Sequence, residues 1–471
     1  MQKKIKIGIF FGGASREREI SFAGGRTVYD NLDKSIFEPI PIFVDSFNTF
    51  ILLHWSYIYQ GSIRDFYPPS LLLENNKFQL YIESLGKLST LELKAIQHKV
   101  GIPLRAEELK EYIDVAFLVL HGPFGEDGTL QGLLDWYKIP YTGSNYLGAS
   151  IGIDKLLQKS IMEQAGFPII PYACITRKAW LTEQNKEILL AKLAMQLGMP
   201  LVVKSIRQGS SIGVSIVEKQ EKEAFLKAVE GSFFMETVDA KTWKHLNKQE
   251  KAEWVSSLID LRTGIGLPVC VHQKTIFQPT TLIQSLDTHF NSHSSSVLLE
   301  SLWGESMVLV EKYILGREFS CIILQESGQE PIALPPTEIL KKGMHFDYCA
   351  KYLPGLVRKK TPMEIQPTQL DHIQKACIKL FKLLHFQVYA RIDGILASDG
   401  TIYLNDPNTT AGMNPSSFFF HQAAEVGLNP SQLLTFIIRH SLAERIANYA
   451  KDDFNHNLLT QLDNYLCVLN K

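Results

Sequence analysis

Tyr389-Ala-Arg-Ile-Asp393 and, beyond the turn Ser398-Asp-Gly400, Tyr403-Leu-Asn-Asp-Pro-Asn408 carry the most informative chemistry in the chain. Two short strands around an Asp-Gly turn predict a β-hairpin. Each strand ends in oxygen-bearing side chains, so Asp393, Asp406 and Asn408 are expected to meet on one sheet. Carboxylate and amide oxygens are donors that Mg²⁺ takes, keeping phosphates as its remaining partners. Arg391 precedes Asp393 by two residues and so points to the same face of its strand. A cation beside a metal–phosphate site is what phosphoryl chemistry uses. Taken alone, an ordinary hairpin with solvated acids explains the same residues.

Outward from this hairpin, helices are expected at 368–384 and 430–449. At about 100–200 residues per domain, 471 residues make about three domains. From Lys4 to about Tyr146 strand and helix alternate. Ile5–Phe11 reads as a strand, Gly12-Gly13 as a tight turn and 19–32 as a helix, with further strands at Glu38–Val44 and Val115–Leu120. That order predicts a doubly wound parallel sheet. Residues 46–112 are less regular and read as decoration. A second unit opens near Gly148, with a helix over Asp154–Ala165 that Gly166-Phe-Pro168 stops. Leu201-Val-Val-Lys204 reads as a buried strand, and Ser306–Tyr313 with Glu318–Leu324 as a strand pair. Residues 236–300 look like a polar insertion, helical at Lys241–Leu261 and ending in His289-Phe-Asn-Ser-His-Ser-Ser-Ser296. The expected class is α/β and α+β, in units of 1–147, 148–310 and 311–471.

Hydrophobic residues are 45% and charged residues 21% of the chain, ordinary for a soluble globular protein. A formal net charge of −1 argues against a general nucleic-acid or anionic-membrane binder. Local groups must therefore hold any anionic ligand. The six cysteines form no CxxC pair, which argues against a zinc site or a disulfide framework and fits a reducing compartment. Met1–Gly13 has too short an apolar core, interrupted by Lys6, for a signal peptide. No apolar run reaches the ~18 residues of a membrane span. A cytoplasmic protein is expected.

Lys204 ends an apolar strand and precedes Arg207-Gln-Gly-Ser-Ser-Ile-Gly213. A lysine there places its ammonium over phosphate oxygens while loop N–H groups and hydroxyls cover them. The GxxxxGK[ST] spacing of a P-loop is absent. His121-Gly-Pro-Phe-Gly-Glu-Asp-Gly128 follows a strand directly, where ligands of open parallel sheets sit. Glu311 and Glu318 bracket the turn Leu315-Gly316, a linker against which a nucleotide base can lie. A surface lysine, a structural histidine and an ordinary turn account for each piece separately.

Their company decides. In order stand Phe11-Gly-Gly-Ala-Ser-Arg-Glu-Arg-Glu-Ile-Ser21, His121–Gly132, Pro140-Tyr-Thr-Gly-Ser144, Asp154-Lys155 and Val203-Lys204 with Gly209-Ser-Ser-Ile-Gly213. Val310-Glu-Lys-Tyr-Ile-Leu-Gly-Arg-Glu318, Phe346-Asp-Tyr-Cys-Ala-Lys-Tyr352, the metal hairpin and Gly412-Met-Asn-Pro-Ser-Ser417 follow. The series resembles the D-alanine–D-alanine ligase family of the ATP-grasp superfamily over nearly the whole chain except 236–300. The resemblance implies an N-terminal substrate-binding unit, a central ATP-grasp lobe carrying the insertion, and a C-terminal catalytic lobe. It implies ATP-dependent joining of two D-alanines through an acyl phosphate, giving D-alanyl-D-alanine for cell-wall synthesis, commonly in a homodimer.

It also implies roles. Lys155 and Lys204, with Ser211 of the loop, would contact the ATP phosphates. Glu311, backbone groups of Lys312 and Ile314, and Glu318 would hold adenosine. Lys351 and Tyr352 would sit on a closing lid loop. Glu17 would bind the ammonium of the first D-alanine and form a hydrogen-bonded group with Ser210 and Tyr352, with His121 nearby. Arg391 and the backbone of Gly412 would stabilise the tetrahedral oxyanion, and Ser417 would hold the second carboxylate. Asp393, Asp406 and Asn408 would bind two Mg²⁺, or Mn²⁺ in their place.

Three departures from the family pattern accompany the match. Aspartate stands at Asp406 where the family has glutamate, Ala411 where proline usually precedes the glycine, and Phe418 where leucine is usual. The insertion is expected to be a tolerated surface excursion whose removal leaves kinetics largely intact. Other readings of the same residues are a sister ligase with another second substrate, such as D-serine, and a weakly catalytic nucleotide binder acting through its insertion.

Overall fold

The computed structural model describes residues 3–69, 78–341, 357–448 and 453–469. The first sheet comprises β1 (Ile5–Gly12), β2 (Phe37–Val44), β3 (Phe50–Leu53), β4 (Gly101–Leu104) and β5 (Val115–Leu118). β1 lies between β2 and β5 and runs parallel to both. Its Ile-Gly-Ile-Phe-Phe run is buried throughout, as a strand covered on both faces demands. β3 and β4 extend β2 in antiparallel fashion, so the segment read as decoration supplies the edge of the sheet. The helix Arg18–Asn31 follows the Gly12-Gly13 turn.

The central lobe begins with β6 (Tyr172–Thr176), β7 (Leu201–Ser205) and β8 (Val214–Val217). The chain then leaves that sheet to build another from β9 (Met235–Val238), β10 (Val269–Val271), β11 (Lys274–Ile276) and β12 (Val297–Ser301). These four strands stand in the order β11-β10-β12-β9. Helices Lys248–Ile259 and Pro279–Ser292 accompany them, and Trp243, Val255, Leu282, Leu286 and Phe290 fill a common core. The polar insertion is thus a folded α+β module, its strand pairs all antiparallel. Its expected long helix is divided, because Asn247 caps a new start by accepting from the amides of Gln249 and Glu250. β13 (Met307–Lys312) returns to the central sheet, which reads β6-β13-β7-β8.

β14 (Gly316–Leu324), β15 (Ile332–Ala333), β16 (Thr337–Lys341), β17 (Val357–Lys360), β18 (Tyr389–Ala397) and β19 (Ile402–Asn408) make the last sheet. The expected pairing of β13 with β14 is corrected. β13 pairs with β6 and β7, while β14 pairs with β15, β16 and β18. Residues 313–315 therefore link two sheets rather than turn one hairpin, and a cleft opens beside them. Helices Pro430–Asn448 and Asp453–Leu469 return to the start of the chain. Leu433, Ile437, Leu458 and Leu462 share a core with Ile5, Ile7 and Phe22.

Candidate active site

A cavity of about 170 Å³ separates the central and C-terminal sheets. Lys155, Lys204, Ser210 and Ser211 line one side, and Arg391, Asp393, Asp406 and Asn408 the other. Glu311, Lys312, Ile314 and Glu318 line it along the linker. Residues up to 253 positions apart are thus brought to one cleft.

Lys155 opens the helix Lys155–Gln164, whose N-cap Asp154 accepts from the amides of Leu156 and Leu157. Its Nζ donates to the carbonyl of Gln208 at 2.7 Å and lies 3.6 Å from Oδ1 of Asp406. Lys204 Nζ lies 2.6 Å from Oε2 of Glu311 and donates to Oδ1 of Asn405 at 3.4 Å. Lys159, one helical turn after Lys155, reaches the other Glu311 oxygen at 2.5 Å. Burial disfavours both buried ammoniums, but Lys204 also faces Glu311 and Asp406 and is pushed up overall. Lys159 shares its single carboxylate with Lys204, and burial holds it down. Neither Lys159 nor Asn405 was legible in the sequence, since only the fold brings them to Glu311 and Lys204. The Lys312 amide donates to the carbonyl of Pro171 at 3.0 Å, so that N–H is engaged within the protein.

β18 and β19 form the expected hairpin with a bulge. Arg391 pairs with Asn408 and Asp393 with Asn405, so Asp406 and Pro407 together face Ile392. Three residues apart, Asn405 and Asn408 would face opposite sides of a regular strand; the bulge brings both to the Arg391–Asp393 face. Asp406 takes up the distortion with φ of +45°, in the left-handed region. Asp393 Oδ1 accepts from Ser320 Oγ at 2.7 Å and from Arg391 Nε at 3.1 Å.

Glu17, the N-cap of the helix Arg18–Asn31, meets this cleft from the N-terminal side. Its carboxylate accepts from Ser210 Oγ and from the Gly209 amide, the latter at 3.2 Å. Ser210 and Ser211 hold φ of +51° and +61°, so the loop is bent tightly around that carboxylate. His121 is buried with Nδ1 3.6 Å from Glu126. Burial pushes its pKa down, but the neighbouring Glu126 carboxylate and the charge of Glu17 outweigh that and raise it above 6.5. Its Nε2 is buried without a hydrogen-bond partner among the described residues.

Ser417 is the N-cap of the helix Phe418–Glu425, yet its buried hydroxyl caps nothing and has no hydrogen-bond partner among the described residues. Among the described residues, a side chain grown from Gly412 would meet no atom within 4 Å. Lys359, which the sequence did not single out, donates to the Ser416 carbonyl at 2.5 Å and covers the Phe418 ring at 4.6 Å. Burial and the charge of Arg391 hold its pKa down. Lys351 and Tyr352 lie outside the described residues.

Family models for the D-ala D-ala ligase N-terminus and C-terminus match residues 6–144, and 161–237 with 290–439. The chain belongs to the D-alanine–D-alanine ligase family. A D-alanine–D-alanine ligase from Natranaerobius thermophilus is 28% identical over 444 residues, covering 94% of this chain and 96% of that protein. The solved D-alanine–D-alanine ligase of Bacillus anthracis complexed with ATP is 26% identical, with a TM-score of 0.53, and covers 95% of this chain and all of the other. The ligase of Coxiella burnetii shares the fold at 19% identity, with a TM-score of 0.60 over 95% of this chain and 97% of its own. The family match leaves 238–289 uncovered, the greater part of the inserted module. Among the described residues no helix is long and apolar enough to cross a membrane.

Proposed function

We propose that the chain joins two D-alanines at the expense of ATP, giving D-alanyl-D-alanine. The observation that carries this reading is the convergence of Lys155 and Lys204 with Asp393, Asp406 and Asn408 on one cleft whose edge holds the Glu17–Ser210 pair. A carboxylate is a poor electrophile, so the first D-alanine is converted to an acyl phosphate by the γ-phosphate of ATP. Lys155 and Lys204 offset the charge of bringing two anions together, and Ser211 offers its hydroxyl to the phosphates. Glu17 binds the ammonium of the first amino acid, and His121 lies behind it. The second amine attacks the acyl phosphate, Arg391 and the Gly412 amide hold the developing oxyanion, and phosphate leaves. Ser417 offers its unused hydroxyl to the second carboxylate.

Glu311, Glu318, Lys312 and Ile314 would border the adenosine along the 313–315 linker. Asp393, Asp406 and Asn408 would hold the Mg²⁺ ions. Two carboxylates and one amide oxygen are a donor set that Mg²⁺ takes, with phosphate and water oxygens as its further partners. Asn408 fits the amide part, because its Nδ2 donates to the Asp406 carbonyl at 2.5 Å and its Oδ1 is the atom suited to a cation. When bound, the metal supplies charge neutralisation at the transferring phosphoryl group. The units 1–147 and 148–310 would supply the first-amino-acid and phosphate sides of the cleft, and 311–471 the metal and second-amino-acid sides. A cytoplasmic setting agrees with free thiols at Cys174, Cys270, Cys321, Cys377 and Cys467. The test is phosphate release from ATP with D-alanine, and mass detection of the dipeptide. Dipeptide formed one-for-one with ADP supports the reading; ATP binding with no D-alanine-dependent release contradicts it.

A further inference from the structure

We propose that the inserted module is a positioning element for the first amino-acid site, acting through Arg16 on one side and Ile212 on the other. This rests on the assignment of Glu17 to the first D-alanine. Arg16, Glu17 and Arg18 are 6%, 4% and 3% exposed, three consecutive buried charged residues at the start of one helix. Each is tied to a different part of the molecule. Arg18 pairs with Glu83 at 2.6 Å and donates back to the carbonyls of Ala14 and Ser15, anchoring the turn within the N-terminal unit. Glu17 reaches across to Ser210 and Gly209.

Arg16 reaches the module. Nη1 donates to the carbonyls of Leu261 at 3.2 Å and Gly264 at 3.1 Å. Nη2 donates to the Ile265 carbonyl at 2.7 Å and to Ser301 Oγ at 3.1 Å. The guanidinium lies 3.6 Å from the centroid of the Phe234 ring. A buried cation with this many acceptors is fixed in place, and a lysine has neither the planar fork nor the reach to replace it.

The module also holds the opposite partner. Ile212, two residues after Ser210, is 1% exposed in the module's core with Phe234, Leu258 and Ile265. The two halves of the Glu17–Ser210 pair therefore come from separate units, and one apolar core and one set of carbonyls fix both. Relative motion between those units would separate Glu17 from Ser210. The module opposes that motion at the residues on either side of the pair. On this proposal, removing the module raises the Michaelis constant of the first D-alanine, against the expectation that its removal leaves kinetics largely intact.

Arg16→Ala and Arg16→Lys test it by steady-state kinetics and by amide hydrogen exchange. In Arg16→Ala the Michaelis constant of the first D-alanine is expected to rise about tenfold or more, with ADP affinity unchanged within about twofold. Arg16→Lys is expected to fall between wild type and Arg16→Ala. The amides of 14–18 should exchange faster in Arg16→Ala, while those of β18 and β19 keep their protection. Should Arg16→Ala fail to fold, Ser301→Ala removes one of the four bonds and is expected to shift the same constant in the same direction. Unchanged exchange at 14–18, or equal loss of nucleotide and amino-acid affinity, overturns the positioning role. If wild type releases no phosphate with D-alanine, the ligase reading fails instead, and the exchange result still decides whether Arg16 holds the loop.

Discussion

Lys204 Nζ lies 2.6 Å from Oε2 of Glu311, both side chains almost wholly buried. The register explains the contact. Lys204 stands opposite Leu309 across β7 and β13, and Glu311, two residues on, projects from the same face. With Lys159 on the other oxygen, one carboxylate balances two ammoniums. Glu311→Gln removes the carboxylate that both ammoniums contact, leaving them the charge of Asp406, and is expected to destabilise the fold by about 3–5 kcal/mol. Denaturant unfolding checks this, and a loss of under about 1 kcal/mol would show that the lysines find other partners.

The same cleft depends on Asp406, placed by the bulge opposite Ile392. Asp406→Asn keeps the size of the side chain but removes its charge. Turnover is expected to fall by about a hundredfold or more at saturating Mg²⁺. Undiminished turnover would remove Asp406 from the metal site.

Gly209 has no room for a side chain, because a Cβ there would stand 2.7 Å from Oε2 and 2.8 Å from Oε1 of Glu17. Gly209→Ala must displace that carboxylate or the loop. A misplacement of this kind is expected to lower kcat/KM for D-alanine by about a hundredfold. Wild-type kcat/KM would show that Glu17 tolerates movement and does not orient the substrate.

His121 should give the site a pH response. Its pKa is raised, so the stability its imidazolium contributes is fully present below about 6.5 and is lost as pH rises through the folded value. Glu126→Gln removes the main raising interactions and is expected to move the inflection, in unfolding free energy and in the D-alanine Michaelis constant, to lower pH. An inflection that stays in place would assign it to another group.

The parts of this site that were legible are those written locally. Alternation around Asp399-Gly400 marks the hairpin, and apolar residues before Lys204 mark β7. The bulge was not legible, because nothing between Tyr403 and Asn408 states which residue of the partner strand each one faces. Nor was the separation of β13 from β14, since Leu315-Gly316 reads equally as a turn within one sheet. Arg16 looked like one polar residue among several in Ser15-Arg-Glu-Arg-Glu19. Its acceptors lie 245 or more positions away, in a module that composition alone described as polar. Long-range hydrogen bonds and interlocking cores leave no periodic trace.

The most direct measurement is a crystal structure with ADP, Mg²⁺ and a phosphinate mimic of the peptide-bond-forming step. This arrangement predicts nucleotide phosphates between Lys155 and Lys204, and Mg²⁺ at about 2.1 Å from oxygens of Asp393, Asp406 and Asn408. It also places the phosphinate between Arg391 and Glu17. A nucleotide bound elsewhere, or phosphates that touch the lysines while the metal ignores all three hairpin residues, would contradict it.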